Sequence, residues 1–475
     1  MRITSDPGSY KDPSGGVFYY KDKVCRWVAD DTNQFYQNLV KSNLFQDLIQ
    51  SKYFVPTSQI DLNHDECISN QYGNNATYFE HERIQFISFP YEWPPSMILD
   101  AAIHTLDLQS MLLQKNLSLK DATPYNIQYR HAQPLFIDLC SIQNASENGI
   151  WIAYNQFCQT FLYPLLTFQF TSSSLRSIYL THLDGLTLDE TFESLGFRPV
   201  WKHGLIFDYV MPAFLRKIEN SSLPISKKTV STSRTFKNSS EIQLYTVRRL
   251  RRVFNRMRLG TGTSKWKNYR KSCSYTDENY LRKKEFIESV LRSHHINNVL
   301  DLGCNTGDIS LLAAKNGVDV VALDSDPYCV DHLYRRSKDH HAPILSLCID
   351  IANPSPSIGW FNRERPSFLE RVNRQFDCVF ALALIHHLLI KNRIPLPQIV
   401  DLLRHCTSRF LVVEFVGPSD KMFQELLRYR TESYSDFNRG NFEATMSQHF
   451  SIIRNEEIVD PVRAMDRCLY LMECK

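Results

Sequence analysis

The chain has no Cys-x-x-Cys pair. Its 12 cysteines are scattered from Cys25 to Cys474, a spacing that disfavours a structural zinc site. It has no apolar segment after Met1-Arg2-Ile3-Thr4-Ser5-Asp6-Pro7, and no run approaches the roughly 18 apolar residues that a bilayer requires. The sequence therefore predicts neither an export leader nor a transmembrane span, and reduced thiols in a cytoplasm. Charge of one sign is also lacking. A net charge of +3 over 475 residues is too small to call by itself for a nucleic-acid partner. What is present is a globular composition, 43% hydrophobic and 22% charged, on a chain too long for one ordinary core. Two domains with a linker are expected: 1–220, then 221–273, then 274–475.

The most informative stretch runs from Asn297 to Ser310. Val299 to Leu302 is a short apolar run broken by Asp301, it stops at Gly303, and Leu311, Leu312, Ala313 and Ala314 restart an apolar stripe at helical spacing. That pattern is strand, tight glycine turn, helix. Gly303 and Gly307 lack a Cβ, so the backbone can bend sharply and approach a ligand over the helix N-terminus. Their Gly-x-x-x-Gly spacing differs from the Gly-x-Gly-x-x-Gly that seats a dinucleotide pyrophosphate, and suits a ligand without phosphate. A second strand run, Val318 to Leu323, ends on Asp324, where a carboxylate can accept hydrogen bonds from both hydroxyls of a ribose.

Taken together, Asp301-Leu-Gly-Cys-Asn-Thr-Gly307 and Asp324 resemble the S-adenosylmethionine site of Rossmann-like methyltransferases, from about Tyr275 to the C-terminus. The strand candidates fit the alternation of a doubly wound α/β sheet: Val299–Leu302, Val318–Leu323, Ile344–Ile349, Cys378–Leu384 and Phe410–Phe415, then Phe450–Arg454 and Cys468–Met472 as an antiparallel edge pair. The count is similar to the seven-stranded methyltransferase fold. The resemblance implies that Asp301, Gly303, Asn305 and Gly307 surround the amino-acid end of the cofactor. It places Asp324 on the ribose, and Asp350, Ile351 and, less directly, Asp326 on the adenine side. Asp350 reads equally as a turn residue.

Methyl transfer from a sulfonium is an in-line displacement, so positioning and electrostatics supply much of the acceleration. A base is needed only where the acceptor carries a proton. His386 and His387, after the fourth strand, and Glu414, ending the fifth, are the candidates; each reads equally as a side chain hydrogen-bonded at a strand end. The crossover from Asn353 to Gln375, rich in Trp, Arg and Asn, is expected to form part of a substrate lid. Asn353-Pro-Ser-Pro356 follows the third strand and lacks the aromatic of the adenine-methylating signature, so nucleic acid is discounted as acceptor.

The first half opens with a hairpin, Val17–Tyr20 and Val24–Val28, followed by a helix over Phe35–Ile49, a short strand at Phe86–Phe89, and a long helix started by Pro94-Pro95. Then Asp121 precedes Asn126 by five residues, and Asp138 follows a further strand. The arrangement resembles protein kinases and aminoglycoside phosphotransferases, in which a base Asp, a metal-binding Asn and a metal-binding Asp surround nucleotide phosphates. Leu119 stands where the motif has His, Leu139-Cys140 replace Phe-Gly, and Gly15-Gly16 is the sole candidate for a nucleotide loop. An α+β kinase-like fold, degenerate and used for binding, is the expectation; the residues read equally as turn caps.

In the linker, Lys227 to Lys271 holds fourteen Lys or Arg against Glu241. Ser226–Ser240 reads as a flexible connector. Leu244–Met257 reads as a basic amphipathic helix able to meet nucleic acid, an anionic membrane surface or, the favoured reading, an acidic patch on its own protein. The whole chain is similar to bacterial two-domain methyltransferases grouped with the host-specific nodulation protein NoeA. That resemblance implies S-adenosylmethionine as cofactor, no metal, and a small-molecule, glycan or lipid-linked acceptor. The alternatives are a binding protein built from two enzyme-like domains, or residual phosphotransfer in the first half.

Overall fold

The computed structural model describes residues 3–73, 75–171, 173–211, 239–259, 276–428, 430, 432, 434, 436–460 and 465–475; of the connector expected over Ser226–Ser240, residues 226–238 lie outside them, and Ser239 and Ser240 instead open a helix. The chain divides into two compact units, Met1–Leu259 with Gly359–Arg365, and Gly260–Ile358 with Pro366–Lys475.

The first unit begins with five short strands, β1 (Thr4–Ser5), β2 (Gly15–Tyr20), β3 (Lys23–Val28), β4 (Thr57–Ile60) and β5 (Thr77–His81), in the antiparallel order β1-β2-β3-β5-β4. Gly15 and Gly16 lie inside β2, paired with Val28 and Trp27, and not in a loop. A Cβ on Gly15 would stand 2.4 Å from the Trp27 carbonyl, so only glycine fits there. The single helix expected over Phe35–Ile49 is two, Asp30–Lys41 and Asn43–Gln50. Ser42 divides them, its hydroxyl accepting the Phe45 N–H at 3.2 Å, a side chain better suited to capping a helix than continuing one.

Phe86–Phe89 forms no strand. Its Ser88 and Phe89 N–H groups are taken by the Gln128 and Glu92 side chains, at 3.0 and 3.1 Å, which withdraws two donors from any ladder. The helix Pro95–Leu113 follows, and then two small hairpins, β6 (Leu117–Leu119) with β9 (Ile142–Asn144), and between them β7 (Ile127–Arg130) with β8 (Gln133–Phe136). The basic helix spans Ser239–Arg256 and lies against Pro95–Leu113 with Val247, Leu250, Val253 and Phe254 buried. Arg249 and Arg251 of this helix are held by Asp208 and Asp107 of the same unit.

The second unit is one seven-stranded sheet of β10 (Asn298–Leu302), β11 (Asp319–Asp324), β12 (Ile344–Cys348), β13 (Phe376–Ala381), β14 (Thr407–Val416), β15 (Phe450–Asp460) and β16 (Met465–Cys474). Its order is β12-β11-β10-β13-β14-β16-β15. β10 to β14 run parallel, and β16 is antiparallel to both β14 and β15. The central strands are buried on both faces, as a parallel sheet covered by helices requires: Val299, Leu300, Val320, Ala322, Phe380 and Val412 are all at most 2% exposed. Strand order reverses between β10 and β13, and a crevice opens there at the carboxyl ends. The crossover after β12 does not stay in this unit: Gly359–Arg365, expected to contribute to a substrate lid, belongs to the first. Its anchor is Glu364, 8% exposed, with Lys11 at 3.2 Å, beside Arg365 stacked on the Tyr125 ring at 3.8 Å.

Candidate functional site

β10 delivers its chain into the crevice and must turn at once, because the helix Asp308–Lys315 starts six residues later. Gly303 and Gly307 take φ of 77° and 78°, and Asn305 between them takes 52°, a left-handed conformation that asparagine tolerates better than most residues. The N–H groups of Gly303 and Cys304 both donate to the Leu323 carbonyl, at 2.9 and 2.8 Å, which ties the turn to β11. Under the turn lies Leu333: a Cβ on Gly307 would stand 2.2 Å from its Cδ1. The missing side chain is thus a packing requirement as well as a conformational one.

The turn forms one wall of a cavity of about 440 Å³, within the range of small-ligand sites. Asp301, Gly303, Asn305, Asp324, Asp350 and Ile351 line it, with His387 and Lys391 on the side of β13; Gly307, expected at the cofactor, is not among the lining residues, because it packs on Leu333. Asp324 ends β11. Its Oδ2 accepts the Asn305 N–H and its Oδ1 the Asp326 N–H, both at 2.9 Å. Each oxygen keeps a second lone pair, so the carboxylate remains an acceptor toward the cavity, and burial raises its pKa.

Asp301 is 2% exposed, on a central strand, with the Ser310 hydroxyl donating to Oδ2 at 2.6 Å. Burial pushes its carboxyl up from 3.8 to about 6, against the Ser310 hydrogen bond and the Lys283 charge, which lower it. A carboxyl so desolvated gains from any cation placed beside it.

Asp350 lines the cavity, and its Oδ1 accepts the Ala352 N–H at 3.0 Å, the contact of a turn residue. Asp326 is not among the lining residues. It caps the helix Pro327–Asp339, accepting from the Tyr328 N–H at 2.9 Å.

The fourth strand stops at Ala381 rather than Leu384, because Ala383 adopts φ 50° and the chain enters a wide π-type turn over His387–Lys391. Such turns add a residue to the helical repeat and re-aim side chains at functional sites. Here the turn separates two adjacent histidines. His387 lines the cavity, and burial, helped by Lys391, lowers its pKa to about 4; it is neutral at pH 7, and the same environment that keeps it neutral makes it a weaker proton acceptor than a free imidazole. His386 lies off the cavity lining, 1% exposed, its Nδ1 without a hydrogen-bond partner among the described residues. Burial and the neighbouring His387 push its pKa far down.

Glu414 is also off the lining. It lies fully buried between Lys283 Nζ at 2.6 Å and Arg467 Nη1 at 3.0 Å, and Arg467 in turn bonds Asp420 at 2.8 Å. Sequence reading missed Lys283, Tyr280, Lys391 and Asn392, all of which line the cavity. One signal was available: Lys283 shares a face with Asn279, Phe286, Ile287 and Val290, and a cation on an apolar helical stripe asks for a buried partner.

In the first unit, Asn126 and Asp138 are brought together. Ser141 Oγ accepts from Asn126 Nδ2 at 3.1 Å and donates to Asp138 Oδ2. Asp138 Oδ1 faces the buried Arg26 of β3 at 2.9 Å. Asp121 is engaged separately, accepting from Gln156 Nε2 at 2.9 Å.

No family model matches the chain. Over 460 residues it is 29% identical to the nodulation protein NoeA of Rhizobium meliloti (strain 1021), covering 96% of this chain and 94% of that protein. Among solved structures, the N-methyltransferase NodS of Bradyrhizobium japonicum WM9 in complex with S-adenosyl-L-homocysteine is 12% identical over 44% of this chain and 99% of that one, with a TM-score of 0.32. Magnesium protoporphyrin IX methyltransferase ChlM of Synechocystis PCC 6803 is 14% identical over 41% and 83%, with a TM-score of 0.29. TM-scores this low carry no argument, and the fold rests on strand order and register.

Proposed function

We propose that the protein is an S-adenosylmethionine-dependent methyltransferase whose second unit carries the reaction. The observation that carries this reading is one juxtaposition: the left-handed turn from Gly303 to Gly307, whose Gly303 and Asn305 line the cavity, and the Asp324 carboxylate on the neighbouring strand, on the same cavity at the point where strand order reverses. The residues present fit the cofactor. The cavity beside Gly303 and Asn305 has room for a nucleoside, Asp324 suits its ribose hydroxyls, and Asp350 and Ile351 suit an adenine amino group and ring face. Asp301, buried and with its carboxyl still raised despite the Lys283 charge, suits an ammonium. Similarity to the nodulation protein NoeA over nearly the whole chain adds a role in nodulation as part of the proposal.

When bound, the cofactor supplies an electrophilic methyl group. The chain's own residues orient it, exclude water with the apolar walls Leu382, Leu384 and Leu388, and receive the acceptor's proton. His387, neutral and on the cavity, is the base we assign, and Lys391 places a positive charge on the same wall. Glu414 holds Lys283, another lining residue, at 2.6 Å. The acceptor is a small-molecule, glycan or lipid-linked compound. Titration calorimetry with S-adenosylmethionine tests the core of the proposal: wild type binds, Asp324→Ala does not, and equal affinity in the two proteins refutes the site. Transfer of labelled methyl groups into an extract of the source cells then identifies the acceptor.

A second reading concerns the first unit, which we propose to be kinase-like in fold and degenerate in chemistry. The sheet order β1-β2-β3-β5-β4 and the placement of Asp121, Asn126 and Asp138 around the β6 to β9 hairpins support the kinase likeness. Kinases carry a phosphate-pairing lysine on the third strand of that sheet. Here the strand presents Arg26, already paired with the Asp138 carboxylate that would otherwise hold metal. The unit then serves binding, and titration with ATP and magnesium gives no heat. Binding that is lost in Asp138→Ala refutes degeneracy and restores phosphotransfer.

A further inference from the structure

The helix Ser239–Arg256 has two faces. The first, Gln243, Val247, Leu250, Val253 and Phe254, is buried against its own unit. The second follows the spacing 242, 245, 249, 252, 256, whose alternation of three and four residues keeps side chains on one side of a helix. It reads Ile242, Tyr245, Arg249, Arg252, Arg256. Ile242 and Tyr245 are 43% and 60% exposed, and Arg252 and Arg256 are exposed as well. Arg249 is held by Asp208 and lies 5.9 Å from the Tyr245 ring, which fixes the stripe at its centre.

A loop extends this face. Gly149, at φ 75°, lies so close to the helix that a Cβ on it would stand 3.3 Å from Ile242 Cδ1. The next residues are Ile150, Trp151 and Ile152. Trp151 is 3% exposed, its indole N–H donating to the Leu119 carbonyl at 3.0 Å. With Trp151 anchored inward, Ile150 and Ile152 are turned out, at 60% and 59% exposure, and the Ile150 N–H is pinned to Asn148 Oδ1 at 3.1 Å. Three isoleucines and a tyrosine therefore stand in water beside a row of arginines, on a helix with five Arg and one Glu. Single exposed apolar residues are ordinary; an apolar group set in a cationic frame marks an interaction surface.

We infer that this face docks on an anionic lipid bilayer. The charge calls for a negative partner, and an anionic leaflet attracts each basic residue near it. The aliphatic side chains decide between negative partners. Isoleucine ends gain nothing from a phosphate backbone, whereas at a headgroup boundary they enter acyl chains while tyrosine and arginine remain among the headgroups. The inference stands apart from the cavity of the second unit, and no step of the methyl-transfer reading depends on it.

The test uses the full chain, sedimented with vesicles of phosphatidylcholine alone and of phosphatidylcholine mixed with phosphatidylglycerol. Partition into the mixed vesicles only, weakening as salt rises, is expected. The pair Ile150→Ser and Ile152→Ser lowers that partition by roughly ten-fold or more, and the pair Arg252→Glu and Arg256→Glu does the same. These positions are exposed, so both variants keep the wild-type melting curve. Absence of partition, equal partition into neutral vesicles, or partition unmoved by either pair overturns the inference. So does a result in which the substitutions dissolve a dimer, or release bound DNA, without any vesicle binding.

Discussion

Replacing Asp301 by Asn should make the protein more stable and less able to hold its ligand. The buried carboxyl has its pKa raised from 3.8 to about 6. Between those values the native state holds a proton that the unfolded chain has released, so the native protein binds more protons and stability falls as pH rises through the window. At about 1.36 kcal/mol per pH unit the loss is at most about 3 kcal/mol, complete above pH 6 and absent below about pH 4. Asparagine is nearly the same shape, and its carbonyl can still accept from Ser310 Oγ, but it carries no charge. Urea unfolding of both proteins across pH 4 to 8 isolates the effect as a difference. The variant should gain on the wild type from about pH 4 upward and level off near pH 6 at about 1 to 3 kcal/mol. Affinity for S-adenosylmethionine should show the opposite trend, rising with pH through about 6 in the wild type and low at every pH in the variant. A difference in stability that is flat with pH, or an Asn variant that binds as well as wild type, refutes the reasoning.

Four other outcomes are expected. Gly307→Ala forces a Cβ into the fully buried Leu333 at a left-handed φ, and about 2 to 4 kcal/mol of stability should be lost in thermal or urea unfolding. Glu414→Ala removes the buried carboxylate shared by Lys283 and Arg467, leaving Arg467 to Asp420, and should cost about 3 to 5 kcal/mol, measured by the same unfolding curves. His387→Gln should lower methyl transfer by about a hundred-fold or more, with cofactor affinity unchanged in calorimetry; a loss of affinity instead would make it a binding residue. In the first unit, Arg26→Ala leaves the half-buried Asp138 without its cation and should destabilise by about 1 to 3 kcal/mol, whereas Arg26→Met with Asp138→Leu should come close to wild type.

Local patterns carried much of the second unit. Val299 to Leu302 stopping at Gly303, and Val318 to Leu323 stopping at Asp324, locate a turn and an acceptor without reference to anything distant, because strand periodicity and glycine conformation are local properties. The same reasoning located Ser42 only inside a longer apolar stripe, and missed that its hydroxyl caps a new helix. It extended β13 to Leu384, since nothing in Leu382-Ala383-Leu384 announces that Ala383 turns left-handed. Phe86–Phe89 has the composition of a strand, but its donors go to Gln128 and Glu92, and the first of these partners lies forty residues away.

The sequence by itself determined the glycine turn, the acidic strand end and the amphipathic stripe of the basic helix. Each depends on residues within a few positions of one another, where backbone sterics and helical or strand spacing decide the outcome. Only the tertiary structure decided that His387 faces the cavity while His386 does not, that Glu414 is consumed by Lys283 and Arg467, and that Gly359–Arg365 belongs with the first unit. Those facts turn on which charges and side chains meet across long stretches of chain, and a buried ion takes its role from the partner that folding puts beside it.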